Sequence, residues 1–355
     1  MNKLRAIDLF AGIGGIRLGF ELTFGKGIKT VFTCEWDKHA QVTYKANFGD
    51  EEIAGDISRV NGEDVPSFDI CFAGFPCQAF SIEGRKEGFN DKDGRGTLFL
   101  DFIDICAVHK PKIIFAENVK HLVNHRGGRS LNMVLAGIEQ TGYRTHVGVL
   151  NSKDFGVPQN RERVYIVAFR DDIDSSKFQF PAPTDKTQTI ADIMETAPVP
   201  SKYYLSQRFW DALKRHKERM QVAGNGFGYI IRTPNDIAAT ITVSVGSRDR
   251  SLLIDKNIDL TTKTNYKGEI NKDFVRRMTP REWKRLQGYK ESFVLPVADT
   301  HAYSQLGNSV SVPVVEMIAK NIKKVLDNDR KNGSWAKLRK KCTKFFSQQT
   351  NYTDA

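Results

Sequence analysis

The stretch LRAIDLFAGIGG, residues 4–15, decides the fold. Its first half is an apolar, β-type run. Its second half is a glycine-rich turn opening a helical pattern, the order in which a strand feeds a cofactor-binding helix. Glycines at 12, 14 and 15 let a ligand approach the backbone and leave helix-start amides free to meet it. The turn is not a dinucleotide fingerprint, because Arg17 stands where that pattern has its third glycine. Working outward, further apolar runs at 30–35, 68–73, 112–116 and 164–169 are predicted as strands alternating with helical stretches. That alternation predicts an α/β chain with a mostly parallel sheet, whose ligands sit beyond the carboxyl ends of the strands.

The residues at those ends point to chemistry. Glu35 closes the run at 30–35 and suits a ribose diol, while Asp56, in Gly55-Asp56-Ile57, is suited to accept from an adenine amino group. Each acid alone reads more readily as a helix cap. Together with the glycine turn they indicate an adenosine-bearing cofactor without a pyrophosphate. Cys77 lies in the Gly/Pro turn Gly74-Phe75-Pro76-Cys77, whereas Cys34, Cys71 and Cys106 sit in apolar surroundings and read as small buried hydrophobes. A helix starting beyond Cys77 would favour its thiolate. The charged, glycine-rich segment 83–96 reads as a mobile lid. Glu117-Asn118-Val119 ends the run at 112–116, and partial burial of such a carboxylate raises its pKa toward general-acid range. In Gln159-Asn160-Arg161-Glu162-Arg163 the two-residue spacing puts both arginines on one face, as a grip for a base carbonyl and a phosphate or as a solvated strand edge.

Composition narrows the partners. The chain has 355 residues, 40% apolar and 27% charged, which excludes wholesale disorder. Lys and Arg number 53 against 42 Asp and Glu, a net charge of +11 that favours polyanions, nucleic acid first. Residues 201–289 hold eighteen Lys/Arg and nine Asp/Glu, so the basic surplus is concentrated in the second half. The five cysteines form no CxxC pair, which supports neither a zinc knuckle nor a disulfide framework, and no metal is expected. No stretch approaches the roughly 20 apolar residues of a membrane span, and no signal peptide is evident. The expected setting is the bacterial cytoplasm, with no membrane partner. Helical patterns are predicted at 208–220 and 310–325, the latter with Pro313 in its first turn.

In this order the blocks DLFAGIGG, GFPCQAFS, ENV and QNRERV resemble the DNA cytosine-C5 methyltransferase family of bacterial restriction-modification type. RRMTPREWKRLQGY, at 276–289, resembles the block closing that family's recognition domain, and QLGNSV, at 305–310, its final cofactor-side block. The resemblance runs from about Arg5 to Asn321; Trp283 and Lys284 depart from it by their size, and the last 25 or so residues have no counterpart. It implies a Rossmann-like, S-adenosylmethionine-dependent methyltransferase fold with a smaller, mostly β target-recognition domain. The implied divisions are a catalytic domain at 1–185, a recognition domain at 186–303, a returning segment at 304–330 and a basic tail at 331–355.

It also implies roles. Cys77 would add to C6 of a flipped-out cytosine, Glu117 would hold the ring's N3 edge and promote addition, and Arg163 would contact the cytosine carbonyl, with Arg161 and Ser81 supporting the pocket. For S-adenosylmethionine, which leaves as S-adenosylhomocysteine, the resemblance implies the turn residues Phe10, Ala11, Gly12, Ile13, Gly14 and Gly15. Glu35, Trp36, Asp56 and Ile57 would line the adenosine, with Gly74, Phe75, Pro76, Leu98, Asn308, Ser309 and Val310 around the remainder. Asn225, Arg232, Thr240, Arg248 and Arg250 are the candidate contacts to double-stranded DNA. A monomer is expected, bound to DNA at the nucleoid, with any cognate restriction endonuclease acting separately. Three rival readings are weighed: a tRNA methyltransferase of the same lineage, opposed by the long variable region; a dehydrogenase on the same fold, opposed by Arg17 and the Cys77/Glu117 pair; and a catalytically silent DNA-binding relative, opposed by the intact Cys77 and Glu117.

Overall fold

The structure, a computed structural model, describes residues 3–49, 52–76, 98–224, 229–243, 251–261 and 268–332. Cys77, Ser81, the segment 83–96, Asn225, Arg248, Arg250 and the tail beyond 332 lie outside the described residues.

The first half folds as the glycine-turn stretch requires. Strand β1 (Leu4–Leu9) enters helix α1 (Gly15–Phe24), and β2 (Ile28–Cys34) is followed by α2 (Lys38–Phe48). Then come β3 (Ile70–Ala73), α3 (Leu98–His109), β4 (Ile113–Val119), the short α4 (His121–Asn124) and α5 (Arg129–Glu139). Strands β5 (Tyr143–Asn151), β6 (Gln159–Asn160) and β7 (Glu162–Arg170) complete this half. Six strands form one sheet in the order β2-β1-β3-β4-β7-β5. The pairs from β2 to β4 are parallel, and only β7 runs against its neighbours.

Strand residues alternate between two apolar layers. Ile7, Leu9, Cys71, Ile114 and Ile166 face one side with Phe102, Val134 and Ile138. Ala6, Phe72, Phe115, Tyr165 and Phe169 face the other, where Phe20, Val315, Ile318 and Ile322 cover them. Burial on both faces is why these strands read as continuous apolar runs. Strand β5 was not predicted. It is the sheet's edge, only Tyr143 along it is buried, and its polar residues break the apolar pattern.

The second half is built from short pieces. They are β8 (Val199–Pro200), α6 (Gln207–Val222), β9 (Ile230–Arg232), β10 (Ala238–Ala239), β11 (Ser251–Ile254), β12 (Ile258–Asp259) and β13 (Val275–Arg277). The chain then forms α7 (Pro280–Leu286), α8 (Asp299–Asn308) and α9 (Val312–Asn332). Strands β13, β11 and β9 make a small sheet over a core of Leu205, Trp210, Leu252 and Val275. β10 pairs with β6, so backbone hydrogen bonds sew the second half to the first. The basic helix expected at 208–220 is α6. The helix expected at 310–325 is α9, and it starts only after a break at Ser309–Ser311.

Helix α7 starts on a capping box between Thr279 and Glu282, with Pro280 in its first turn. The two bulky residues that depart from the resemblance are both accommodated. Trp283 stacks edge-on against Tyr303 at 4.8 Å, in an apolar cluster that also holds Ile13 and Leu306. Lys284 is buried, and its ammonium donates to the carbonyls of Glu291 and Phe293, each at 3.0 Å. Among the described residues no helix is long and apolar enough to cross a membrane.

Candidate active site

The cofactor side begins where β1 and β2 end together. The Ala11 amide donates to the Cys34 carbonyl at 3.1 Å, which fixes the glycine turn against β2. Glu35 is then caught between two amides: Gly12 donates to Oε2 at 2.7 Å and Asp37 to Oε1 at 2.8 Å. Burial pushes its carboxyl above the ordinary range, and the amide bonds partly oppose that shift. The turn itself needs left-handed backbone, with φ of 54° at Phe10, 55° at Gly12 and 80° at Gly14. A Cβ on Gly14 would lie 2.2 Å from the Phe48 ring, whereas one on Gly12 would meet nothing within 4 Å. Among the described residues nothing approaches Gly12 on that side, and Trp36, two residues beyond the end of β2, has 82% of its surface exposed.

Of the other expected cofactor residues, Gly74, Ser309 and Val310 lie against the glycine turn. A Cβ on Gly74 would be 3.7 Å from the Phe10 carbonyl, so the end of β3 lies against the turn. Phe75 is buried, stacking near Phe99 and Phe102, and Leu98 begins α3 beside them. A Cβ on Gly15 would meet the Tyr289 hydroxyl at 2.6 Å and Val310 at 2.9 Å. The Ser309 and Tyr289 hydroxyls share a hydrogen bond of 2.6 Å, and Asn308 is exposed next to them. The returning segment thus packs against the glycine turn. Ile57 is buried, while Asp56 caps its own turn, accepting from the Ser58 amide at 3.0 Å and the Ser58 hydroxyl at 2.8 Å through one oxygen.

The acid and its arginine meet across the antiparallel pair. Glu117 on β4 stands opposite Tyr165 on β7, and Arg163, two residues earlier on β7, brings Nε to 3.2 Å from Glu117 Oε1. Burial raises the Glu117 carboxyl, and the Arg163 and Arg161 guanidiniums hold part of that rise down. Sequence reasoning gave Asn118 no role. Its amide donates to the Phe75 carbonyl at 2.9 Å, tying the strand that carries Glu117 to backbone two residues ahead of Cys77.

The two arginines do different things. Arg163 turns to Glu117, but the Arg161 tip is fully buried and donates to the carbonyls of Ile241, Gly307 and Ser309 at 3.0, 3.1 and 2.6 Å. Burial brings its pKa down to about 9. Gln159 and Gln287, also unassigned by sequence, complete this buried polar group: the Gln159 amide donates to the Leu286 carbonyl, and Gln287 to those of Leu306 and Ser309. Nearby, Arg232 on β9 lines a polar cleft with Lys153, Asn160, Asn235, Asp236 and Thr242, and its Nε is buried without a partner among the described residues. Thr240 also lines that cleft, its hydroxyl donating to the Asn160 carbonyl at 2.6 Å. Of the five candidate DNA contacts, Arg232 and Thr240 are described, and both sit at this junction.

A further unexpected group lies beneath the glycine turn. Asp8 is buried, accepts from the Tyr44 hydroxyl at 3.1 Å through Oδ2, and leaves Oδ1 without a partner among the described residues. Burial pushes its carboxyl up to about 8, although the Arg17 cation lowers it.

With this geometry established, comparison with known proteins agrees over nearly the whole chain. The family model described as C-5 cytosine-specific DNA methylase matches residues 4–324. The chain is 50% identical to the Type II methyltransferase M.HpaII of Haemophilus parainfluenzae over 332 residues, covering 92% of this chain and 91% of that one. It is 37% identical to the Type II methyltransferase M.HhaI of Haemophilus parahaemolyticus, covering 91% and 95%. In fold it is similar to the Entamoeba histolytica methyltransferase EhMeth, with a TM-score of 0.72 at 22% identity, covering 92% and 99% of the two chains. The chain belongs to the C-5 cytosine-specific DNA methylase family and is a DNA (cytosine-5)-methyltransferase.

Proposed function

We propose that the chain transfers the methyl group of S-adenosylmethionine to C5 of a cytosine flipped out of a specific duplex sequence, through a covalent adduct between Cys77 and C6. The observation that carries the reading is the Glu117–Arg163 pair at 3.2 Å, held by Asn118 to the backbone that leads into Cys77. Cytosine C5 is a poor nucleophile. A thiolate that adds to C6 turns the ring into an enamine with electron density at C5. Glu117, with its pKa raised by burial, can share a proton at the N3 edge and so make addition favourable. Arg163, half-held by Glu117, keeps donors for the cytosine carbonyl. A base then takes the C5 proton, and the Cys77 thiolate leaves. A stacked cytosine cannot enter such a site, which is why flipping is part of the reading.

The residues fit the cofactor. Gly12 opens onto free space, Glu35 is fixed by two amides with a lone pair left on each oxygen, and Trp36 offers an exposed ring. Glu35 would accept from the ribose hydroxyls with Trp36 beside it, Phe10 would lie against the adenine, and Gly12, Gly14 and Leu98 would stand near the amino-acid end, with Asn308 and Val310 coming from the returning segment. When bound, S-adenosylmethionine supplies a methyl group activated by its sulfonium. Arg232 and Thr240 border the face expected to meet DNA, and Asn225, Arg248 and Arg250, which lie outside the described residues, are candidate contacts on the sequence alone. The divisions at 1–185, 186–303 and 304–330 are retained as functional units: chemistry, recognition, and the cofactor-side return.

Incubation with tritiated S-adenosylmethionine tests the reading against its rivals. Label should enter duplex DNA and not tRNA, and bisulfite sequencing should locate it on cytosine within one recurring sequence. Label in tRNA alone, or in adenine, overturns it.

A further inference from the structure

The buried polar group around Arg161 joins two segments that the proposed reaction uses separately. On one side is Thr240–Ile241–Thr242, which borders the cleft with Arg232. On the other is Gly307–Ser309, which leads into Val310 beside the glycine turn. We propose that Arg161 is a positioning residue that couples DNA binding to cofactor binding, with Gln159 and Gln287 as its supports.

The geometry allows the two segments little independent motion. A guanidinium is a planar fork, and this one is 2% exposed with one arm on the Ile241 carbonyl and the other on those of Gly307 and Ser309. Separating the segments would strand at least one buried carbonyl without a donor, which is costly where water does not reach. The Ile241 amide is held as well, donating to Gln159 Oε1 at 3.1 Å. Gln287 fastens the other segment through the Leu306 and Ser309 carbonyls at 2.7 and 3.2 Å. The backbones also touch directly: a Cβ on Gly307 would lie 2.8 Å from both Thr242 C and Val243 N. From Ser309 the path continues to Gly15 through Val310, whose side chain stands 2.9 Å from a Cβ placed there. A shift of the recognition segment on DNA is thereby delivered to the wall of the cofactor opening.

This inference rests on the proposed reading of cofactor and DNA, and its test is separable from that reading. Calorimetry gives the affinity for S-adenosylhomocysteine with and without a duplex carrying the sequence found by bisulfite sequencing. By linkage, the factor by which DNA tightens the cofactor equals the factor by which the cofactor tightens DNA. The wild type should show a factor of about 5–150, the usual span for coupled sites. Arg161→Lys, which keeps the charge but not the fork, should bring it close to one. Gly307→Ala, which forces the two backbones apart, should do the same. A purely structural role would lower the melting temperature or both separate affinities and leave the factor unchanged. That result in both variants overturns the proposal. So does a wild-type factor of one, whatever the variants do. Methyl transfer by the wild type stands or falls independently of either outcome.

Discussion

The two halves of the molecule are held together by different physics. In the first half, strands buried on both faces lie between two apolar layers, and the site residues stand at the strand ends. In the second half the core of the small sheet is modest, a separate apolar cluster gathers around Met278, Trp283, Leu286 and Tyr303, and buried ion pairs run between these pieces. Arg276 is fully buried, with Nε 2.8 Å from Asp255 and its two terminal nitrogens 2.8 Å from the two oxygens of Glu282. Arg285 and Arg281 clamp Glu291, at 2.6 and 2.7 Å respectively. An apolar sandwich fixes chemistry that must not vary. A surface of short strands on buried ion pairs allows its exposed segments to change while the frame stays. The junction between the halves is apolar where α9 covers the sheet and polar around Arg161.

The comparison can be broken most severely from the first half. Cys77→Ser should abolish methyl transfer by several orders of magnitude while leaving duplex binding largely intact in a gel-shift assay; activity near the wild type would place the nucleophile elsewhere. Glu117→Gln keeps shape but loses the shared proton, so single-turnover rates should fall by about 10²–10⁴ with little change in cofactor affinity. Turnover within twofold of the wild type would reject that role. Glu35→Ala should show the reverse, weaker cofactor binding measured by calorimetry.

The second half should fail by unfolding rather than by chemistry. Arg276→Met leaves Glu282 and Asp255 buried without their cation and should cost about 3–5 kcal/mol in urea unfolding. A loss under 1 kcal/mol would mean that the ionic frame contributes little. A further effect concerns Asp8. Its carboxyl titrates at about 8 in the folded chain because of burial, against about 4 when unfolded. The unfolded chain gives up this proton first, so the stability tied to it is complete below about pH 4 and is lost as pH rises through about 8. Asp8→Asn removes that dependence. Its melting temperature should gain on the wild type from pH 5 to about pH 8 and level off above that, and a constant difference would contradict the assignment.

Much of this was legible in the sequence. The parallel strands announced themselves because burial on both faces demands apolar runs, and Glu35 and Glu117 because they punctuate the ends of those runs. The glycine turn was readable through backbone that only small residues adopt easily. Strand β5 was not, since an edge strand with one covered face carries His146 and Arg144 among its valines. Arg161 and Arg163 share a pattern, and nothing in a spacing of two tells which turns to a carboxylate and which to backbone carbonyls 80 and more residues away. Asn118, Gln159, Gln287 and Asp8 were missed for the same reason: their partners are distant in the chain, and polar residues that serve the interior look like any others.

The central claim is that Cys77 bonds to a flipped cytosine and Glu117 assists. A duplex containing 5-fluorocytosine at the methylated position tests it most directly, because fluorine at C5 blocks the proton removal that releases the enzyme. With S-adenosylmethionine present, the wild type should form a complex that survives denaturing electrophoresis, Glu117→Gln should form it slowly, and Cys77→Ser should not form it. Equal trapping by Cys77→Ser, or no trapping by a wild type that methylates normal duplex, would contradict the account.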